Sequence, residues 1–275
     1  MRLKHKVALV TGAGSGMGRA TAALFAAEGA SVVLADIDQT AAQQTLQMID
    51  GRGDCLAVGC DIADSESVRR MFAEVERRYG RLDVLVNNAG LGQVPGDGFE
   101  LYQQRLAQRG EQLAAGREPE VFTDMIVDLT DAGWQRIVDI NLNGAFYCSR
   151  AAVRLMIACA SKGSIINIAS LSALSGEGPL SYCASKAALL GMGKCLARDL
   201  GPRGIRVNTI CPGPTRTPMM QSISEEWARA LQQAIPLGRL LEPEEIARTC
   251  LFLASDDSSC FTGQTLAASG GMLMH

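Results

Sequence analysis

Two side chains in the second half of the chain have the types and the spacing for proton transfer. Tyr182 and Lys186 lie four residues apart, a spacing that puts both on one face of a helix. A tyrosine hydroxyl titrates near ~10, but a neighbouring ammonium favours the phenolate and makes Tyr182 a usable base. Because such pairs also occur on ordinary solvated helix faces, this interpretation needs support from other residues.

Ser170 provides part of that support. It lies twelve residues before Tyr182 and follows the apolar run at 165–168. Such a run predicts a strand, and ligands of open parallel sheets bind beyond the carboxyl ends of the strands. The Ser170 hydroxyl could therefore hold a substrate oxygen opposite Tyr182.

A glycine-rich segment near the start of the chain could bind phosphates. Residues 11–18 read Thr-Gly-Ala-Gly-Ser-Gly-Met-Gly, between an apolar run at 7–10 and a helical pattern. Glycines let the backbone approach a pyrophosphate closely, and a helix N-terminus adds unpaired N–H groups. We therefore predict a dinucleotide-binding loop whose contacts are Gly12, Ser15, Gly16, Met17 and Gly18.

Carboxylates follow the next two apolar runs. Asp36 ends the run at 31–35, where a carboxylate can accept hydrogen bonds from the ribose hydroxyls of an adenosine. Its charge would repel a 2′-phosphate, so Asp36 favours NAD over NADP, although it could instead cap the next helix. Asp61 and Ile62 follow the run at 55–60 and could meet the adenine ring.

The scaffold for these residues is predicted from alternating patterns. The apolar runs that predict strands lie at 7–10, 31–35, 55–60, 84–86, 164–168, 206–210 and 264–267. Helical patterns lie at 18–29, 41–49, 65–79, 133–160, 181–201 and 242–254. Continuous apolar strands that alternate with helices predict a parallel sheet covered on both faces. We therefore predict one doubly wound α/β domain over residues 1–275.

Composition excludes several other classes of protein. A chain of 275 residues with 47% hydrophobic residues can bury enough apolar surface to exclude global disorder. A net charge of −3 provides no field for nucleic acid. No apolar run reaches the ~18–20 residues of a membrane span, and no signal-peptide core follows Met1. We expect a cytoplasmic protein without a membrane partner.

The nine cysteines are odd in number, scattered and never spaced as Cys-x-x-Cys. The two histidines, His5 and His275, lie near the two ends of the chain. We therefore expect the cysteines to be small apolar residues in a reducing compartment, with neither a disulfide framework nor a bound metal.

Taken together, the motifs resemble those of the short-chain dehydrogenase/reductase family. The matching motifs, in chain order, are the glycine segment, Asn87-Asn88-Ala89-Gly90, Asn141, Ser170, Tyr182-x-x-x-Lys186 and Asn208-x-x-x-Pro212-Gly213. The resemblance covers nearly the whole chain. It implies a Rossmann fold and hydride transfer between a nicotinamide cofactor and an alcohol or carbonyl.

The resemblance also implies a role for each matched residue. Tyr182 resembles the general acid/base, and Ser170 resembles the group that orients the substrate oxygen. Lys186 resembles the residue that binds the nicotinamide ribose and lowers the tyrosine pKa. Asn141 resembles an asparagine that holds a water molecule in a proton relay.

Two further groups of residues are implied to contact the cofactor. Those that would line the adenosine ribose are Asn88, Ala89 and Gly90. Those that would border the nicotinamide are Pro212, Gly213, Thr215 and Thr217, with Thr217 near its amide or phosphate. Because the family is commonly tetrameric or dimeric, the resemblance also implies a homotetramer or a homodimer.

The chain departs from the family pattern in two places. The Ser170–Tyr182 spacing is shorter than the commonest one, which leaves Ser172 as an alternative to the favoured Ser170. The segment between Gly90 and Trp134 is longer than usual, and we predict an insertion at about 93–120. Its spaced apolar residues predict an amphipathic helix, and they are Phe99, Leu101, Tyr102, Leu106 and Leu113. That helix could cover the substrate cleft, form a subunit contact or be a mobile excursion.

The predicted function is an NAD(H)-dependent oxidoreductase that interconverts a secondary alcohol and a ketone, with Tyr182 as the general acid/base. The alternatives are an NADPH-dependent 3-oxoacyl-carrier-protein-type reductase and a non-catalytic dinucleotide-binding protein. Residues 214–240 are the predicted substrate lid. Its apolar side chains favour a small-molecule substrate that is hydrophobic or ring-bearing, or belong to the core or a subunit contact, and they are Met219, Met220, Ile223 and Trp227.

Overall fold

A parallel β-sheet lies at the centre of the protein. The computed structural model describes residues 1–49, 53–222 and 225–274. Within these ranges seven strands are present, namely β1 (Val7–Thr11), β2 (Ser31–Asp36), β3 (Leu56–Gly59), β4 (Val84–Asn87), β5 (Ser164–Ile168), β6 (Arg206–Pro212) and β7 (Thr265–Ala268). Their spatial order is β3-β2-β1-β4-β5-β6-β7, and each neighbouring pair is parallel. The prediction of a single doubly wound α/β domain is confirmed.

Helices cover both faces of this sheet. The helices on one face are α1 (Gly16–Ala27), α2 (Gln39–Met48) and α11 (Pro243–Ala254), and those on the other are α3 (Ser65–Tyr79), α7 (Gly144–Ala158) and α9 (Leu180–Leu200). Alternate residues of one strand pack on opposite faces: Ala8 and Val10 face the first layer, and Val7 and Leu9 face the second. The strands are therefore apolar at consecutive positions because they are buried on both sides.

The long connection after β4 forms additional helices. They are α4 (Phe99–Ala114), α5 (Met125–Asp128) and α6 (Asp131–Val138). The structure places a helix in the predicted amphipathic stretch, but only Phe99 of its five apolar residues is buried, whereas Leu101, Leu106 and Leu113 are 44–56% exposed. Most of the apolar side of α4 thus faces outward.

One feature differs from the predicted helix pattern. The helix predicted at 133–160 is divided by a π-helical turn, Asp139–Asn143, between α6 and α7. Such a turn accommodates an additional residue, which periodicity alone does not reveal. The remaining helices are two short ones, α8 (Ser172–Ser175) and α10 (Glu225–Ala234).

The structure also bears on the expectations about membrane-spanning helices, metal sites and disulfides. Over the described ranges, no helix is long and apolar enough to cross a membrane. Among the same residues, no three His, Cys, Asp or Glu side chains are grouped so that they could hold a metal ion. All nine cysteines lie in described ranges, and no disulfide joins them.

A buried carboxylate connects distant parts of the sheet. Asp83, 6% exposed, accepts hydrogen bonds from the Val7 amide (2.8 Å), the Ser161 hydroxyl (2.7 Å) and the Arg81 guanidinium (2.7 Å). Burial alone would raise the pKa of the Asp83 carboxyl, but these hydrogen bonds and the Arg81 charge hold it below its ordinary value. The stabilisation is therefore present at neutral pH and is lost as the pH falls through the lowered pKa.

We predict that Asp83→Ala lowers the free energy of unfolding by about 3 kcal/mol, because it leaves buried donors without an acceptor. Asp54→Ala is the matched control, since Asp54 is 55% exposed and pairs with Arg78 on the surface; it should cost less than about 1 kcal/mol. Urea denaturation at pH 7 measures both values. Equal losses would contradict a special role for the buried carboxylate.

Candidate active site

The turn between β1 and α1 can hold an anion. Gly12 and Gly16 have φ angles of +65° and +51°, in the left-handed region that favours glycine. The first backbone hydrogen bond of α1 is donated by Arg19 to Ser15 (3.0 Å), so the amides before Arg19 have no acceptor within the helix. The side chain of Ser15 is exposed and makes no capping hydrogen bond. These donors suit a phosphate.

The same turn fits tightly against the end of β4. A Cβ atom on Gly18 would lie 2.1 Å from the Gly12 carbonyl oxygen, and one on Gly12 would lie 2.9 Å from Asn88 Nδ2. Asn88 Nδ2 donates to the Thr11 carbonyl (2.9 Å), and Thr11 Oγ1 accepts from the amides of Asn88 and Ala89 (both 3.0 Å). The backbone of this turn, its glycines and the end of β4 therefore form a narrow cradle that suits a pyrophosphate. Thr11 was not predicted as a site residue, because its role requires knowledge of the β1–β4 pairing.

Asp36 lies beside this cradle. Its carboxylate accepts hydrogen bonds from the Gly14 amide (2.8 Å) and the Asp38 amide (3.0 Å). The helix-cap alternative for Asp36 is wrong, because Asp38 is the residue that caps α2, through the amides of Thr40 and Ala41. Asp36 is thus fixed between the loop and α2, with one carboxylate oxygen directed at each.

The residues around Asp36 bear on whether an additional phosphate on the adenosine ribose could find a cation there. The next residue, Ile37, is uncharged and 67% exposed. The nearby Arg19 guanidinium is hydrogen-bonded to the Gly14 carbonyl and, at 3.1 Å, to Thr45 Oγ1. This cation is therefore engaged by two acceptors.

Two residues predicted to meet the adenine ring have other contacts as well. Asp61 Oδ1 accepts a hydrogen bond from the Ala63 amide (2.9 Å). Ile62 is 8% exposed, and its Cδ1 would lie 2.7 Å from a Cβ on Gly144. Most of the Ile62 surface thus packs in the core, and its contact with adenine stays a prediction.

The candidate catalytic pair lies in the first two turns of α9. Lys186 is 4% exposed, and its Nζ donates to the Ile168 carbonyl (2.9 Å) at the end of β5. The same Nζ lies 5.9 Å from the ring centroid of Tyr182. Burial lowers the pKa of Lys186 to about 8. The predicted helical spacing thus brings both side chains to the carboxyl edge of the sheet.

Burial raises the pKa of the Tyr182 phenol, and the nearby Ser170 side chain opposes this shift. The lowering of this pKa by Lys186, implied with a nicotinamide bound beside it, stays a prediction.

The choice between Ser170 and Ser172 has a geometric answer. The Ser170 side chain lies close enough to the Tyr182 phenol to oppose the rise of its pKa, and its Oγ accepts the Ser172 amide (3.1 Å). Ser172 begins α8, and its Oγ lies 3.5 Å from where a Cβ on Gly178 would be. The geometry favours Ser170 as the partner of Tyr182.

Asn141 lies in the π-helical turn and is 1% exposed. Its amide oxygen accepts from the Leu91 amide and its nitrogen donates to the Leu91 carbonyl, both at 2.9 Å. The same nitrogen donates to Ser185 Oγ (3.1 Å), which in turn donates to the Tyr182 carbonyl (2.9 Å). Asn141 therefore connects the end of the β4 loop with α9. Leu91 and Ser185 were missed, since no motif marks a backbone clamp.

Gly90 lies at the centre of this network. A Cβ on Gly90 would lie 2.9 Å from Lys186 Nζ and 3.0 Å from Asn141 Oδ1. Only glycine lets the backbone pass so close to both polar groups. The structure thus brings together four of the predicted residues, namely Gly90, Asn141, Tyr182 and Lys186.

The residues predicted to border the nicotinamide follow β6. The Gly213 amide donates to the Ala268 carbonyl (2.9 Å), and the buried Thr215 Oγ1 donates to the Gly213 carbonyl (2.8 Å). Thr217 Cγ2 lies 3.3 Å from the Cβ position of Gly16. Pro212, the last residue of β6, and these neighbours therefore lead from the sheet edge to the phosphate-binding turn.

The predicted lid begins in the same place. Its two ends are paired, because Leu241 donates to the Pro214 carbonyl (2.9 Å) and Arg216 donates to the Leu241 carbonyl (2.8 Å). Met219 is 51% exposed, and its Sδ lies 3.3 Å from the Cβ position of Gly92. Ile223 and the side chain of Trp227 lie outside the described residues.

Comparisons with known proteins find similar proteins over nearly the whole chain. A family model described as short chain dehydrogenase matches residues 6–109, and one described as Enoyl-(Acyl carrier protein) reductase matches residues 112–273. A crystal structure of a short-chain type dehydrogenase/reductase from Mycobacterium marinum has a TM-score of 0.84 at 31% identity, covering 99% of this chain and 97% of its own.

Curated relatives cover the full length at similar identity. The 3-oxoacyl-[acyl-carrier-protein] reductase of Thermotoga maritima is 35% identical, with 100% of both chains covered. The meso-2,3-butanediol dehydrogenase of Serratia marcescens is 36% identical, with 98% of this chain and 96% of its own covered. The human (3R)-3-hydroxyacyl-CoA dehydrogenase is 32% identical, with 99% and 97% covered.

The sheet order and the glycine cradle at its switch point define the class, a dinucleotide-binding α/β protein. The full-length matches make the assignment narrower. The chain belongs to the short-chain dehydrogenase/reductase family of oxidoreductases, whose cofactors are nicotinamide dinucleotides.

We predict that Gly18→Ala weakens NADH binding by more than about tenfold, because the added methyl group displaces the Gly12 carbonyl and opens the cradle. Gly110→Ala is the matched control, since Gly110 lies in α4 with no atom within 4 Å of its Cβ position. NADH fluorescence titration measures the affinity, and urea denaturation shows how much of each variant is folded. Unchanged NADH affinity in folded Gly18→Ala would contradict the cradle.

Proposed function

We propose that the protein is an NAD(H)-dependent dehydrogenase that interconverts a secondary alcohol and a ketone. The observation that carries this proposal is the meeting of Ser170, Tyr182 and Lys186 at the carboxyl edge of the sheet, beside the glycine cradle. A non-catalytic dinucleotide-binding protein would not need this set. A cytoplasmic homotetramer or homodimer is part of the proposal, on the basis of the family.

The residues that would hold the cofactor are those of the cradle for the pyrophosphate, Asp36 for the adenosine ribose, and Lys186 for the nicotinamide ribose. The other proposed contacts of the cofactor are Asn88, Ala89 and Gly90 at the adenosine ribose and Pro212, Gly213 and Thr215 at the nicotinamide. Thr217, near Gly16, suits a position between the two ends of the cofactor. When bound, the nicotinamide accepts or supplies the hydride.

The protein side chains perform the proton transfer. In the oxidation direction Tyr182 as phenolate takes the hydroxyl proton of the alcohol, and Ser170 donates a hydrogen bond to the same substrate oxygen. The Lys186 ammonium stabilises the phenolate, and its Nζ is held by the Ile168 carbonyl. Asn141 fixes the loop at Leu91 and, through Ser185, the first turn of α9. In reduction the same phenol returns the proton.

Asp36 supports NAD over NADP. Its carboxylate borders the loop where the adenosine ribose would lie, and a 2′-phosphate there would be repelled. The relative from Thermotoga maritima is named as a carrier-protein reductase, which keeps an NADPH-dependent 3-oxoacyl reductase as the second candidate. The uncharged Ile37 and the engaged guanidinium of Arg19 provide no open cation for that phosphate.

We predict that Tyr182→Phe lowers kcat by about 10³-fold or more, because the variant has no group to carry the proton, while NADH affinity changes less than about twofold. Tyr147→Phe, on α7, is the control and should keep wild-type kcat. NADH formation at 340 nm and fluorescence titration measure the two quantities. Wild-type rates in Tyr182→Phe would exclude this residue as the base.

We also predict that Asp36→Ala with Ile37→Arg lowers the NAD/NADP ratio of kcat/KM by at least about tenfold, because the repulsive charge is replaced by an attractive one. Ile37→Ala alone should change the ratio little and serves as the control. Initial rates with each cofactor give the ratio. A ratio that stays constant would place the selectivity elsewhere in the chain.

A further inference from the structure

The short helix α5 is attached to the catalytic helix. Met125 Sδ accepts a hydrogen bond from the Leu180 amide (3.2 Å), at the first residue of α9 and two residues before Tyr182. Behind α5, Arg105 of α4 forms an ion pair with Asp128 and also donates to the Thr123 carbonyl (3.2 Å). The position of α5 beside the active site is thus fixed by contacts at both its ends.

The outer residues of α5 are apolar and exposed. Ile126 is 69% exposed and Val127 is 78% exposed, and the adjoining Leu180 is 36% exposed. Adjacent exposed aliphatic side chains on a fixed turn are unfavourable in water, and they commonly mark a surface that a ligand or partner covers. Of these residues Leu180 lies nearest to the candidate base in the chain, two residues before Tyr182 in α9.

Apolar residues also lie where the segment after β4 and the predicted lid meet the site. Leu91 is 39% exposed, and its backbone is clamped by Asn141. Met219 is 51% exposed and lies against Gly92. We call Leu91, Ile126, Val127, Leu180 and Met219 the apolar collar. Its members come from four separate segments, and α5, which carries two of them, is joined to the start of the catalytic helix through Met125.

The segment that carries α5 has a negative net charge. Residues 93–131 contain eight Asp and Glu and three Arg. The Arg105 side chain is already paired with Asp128, whereas the exposed Asp124 and Glu177 have no ion pair among the described residues. A phosphate-bearing thioester would therefore approach the site against an unfavourable field, and an uncharged molecule would not.

We infer that the substrate is an uncharged secondary alcohol or ketone with a bulky apolar group, and that Ile126 and Val127 bind this group. The inference rests on the proposed dehydrogenase function and adds a substrate class to it. Covering the collar removes apolar surface from water, which favours large hydrophobic substrates over small ones. Because the same residues border an acidic surface, thioesters of coenzyme A or of a carrier protein are disfavoured.

The first test compares two alcohols of different size. With NAD, wild type should oxidise 1-(2-naphthyl)ethanol with a higher kcat/KM than 2-butanol. Ile126→Ser with Val127→Ser should lower kcat/KM for the naphthyl alcohol by about tenfold or more, through KM, and that for 2-butanol by less than about twofold. Leu113→Ser, on the exposed side of α4, is the control and should change neither value.

The outcomes separate the inference from the proposed function. Equal effects on both alcohols, or no effect on either, would overturn the inference while the dehydrogenase function stands. A change in assembly of the double variant, measured by mass photometry, together with unchanged kinetics would also overturn it, because a second copy of the chain would then cover α5. No NADH formation from any secondary alcohol in wild type would overturn the proposed function itself, and the inference with it.

The second test concerns charge. Wild type should use 3-hydroxybutyryl-CoA with a kcat/KM at least about tenfold below that for the naphthyl alcohol. Asp124→Asn with Glu177→Gln should raise the thioester value about threefold at low ionic strength and leave it unchanged in 0.5 M salt, where the field is screened to about 4 Å. A thioester used as well as the naphthyl alcohol by wild type would overturn the substrate class.

Discussion

The junction between β1 and β4 is the constraint on which the rest of the site depends. There the strand order reverses, and the Thr11 side chain accepts two amides from the segment that follows β4, while Asn88 returns two hydrogen bonds to the β1 end. The same contact closes the glycine cradle and sets the direction of the chain through Gly90. Because Gly90 touches both Lys186 and Asn141, a shift at the junction would move the cofactor cradle and the proton-transfer groups together.

Burial has opposite consequences for the two titrating groups. It lowers the pKa of Lys186 to about 8 and raises that of Tyr182, since each charged form is less stable away from water. In the proposed mechanism reduction requires the protonated phenol, and burial favours it. Oxidation requires the phenolate, so Ser170 and the Lys186 ammonium have to offset the desolvation. The proposal therefore depends on the positions of Ser170 and Lys186 as much as on that of Tyr182.

The sequence predicted the scaffold more completely than the contacts. Strand and helix periodicity is local, so α3 was predicted at its observed bounds, 65–79. The motif residues around Tyr182 were also found, because their spacing reflects one helix face. Thr11, Leu91 and Ser185 were not, because each acts through a hydrogen bond to a residue distant in sequence or to the backbone. The desolvation that raises the Tyr182 pKa was not predicted for a related reason, since it depends on the folded surroundings.

The residues at the edge of the sheet leave little freedom for substrate selection, which the proposed substrate class therefore assigns to the segments around them. Asn141, Ser185 and Lys186 each have buried partners, and replacing any of them would leave polar groups unpaired. The α5 segment has no such restriction: its side chains at 126 and 127 are exposed, and Met125 attaches it to α9. Variation in such surface segments, on a fixed scaffold, is a physical route by which chains as similar as those named for a diol, a carrier-protein ester and a coenzyme A ester can differ in substrate.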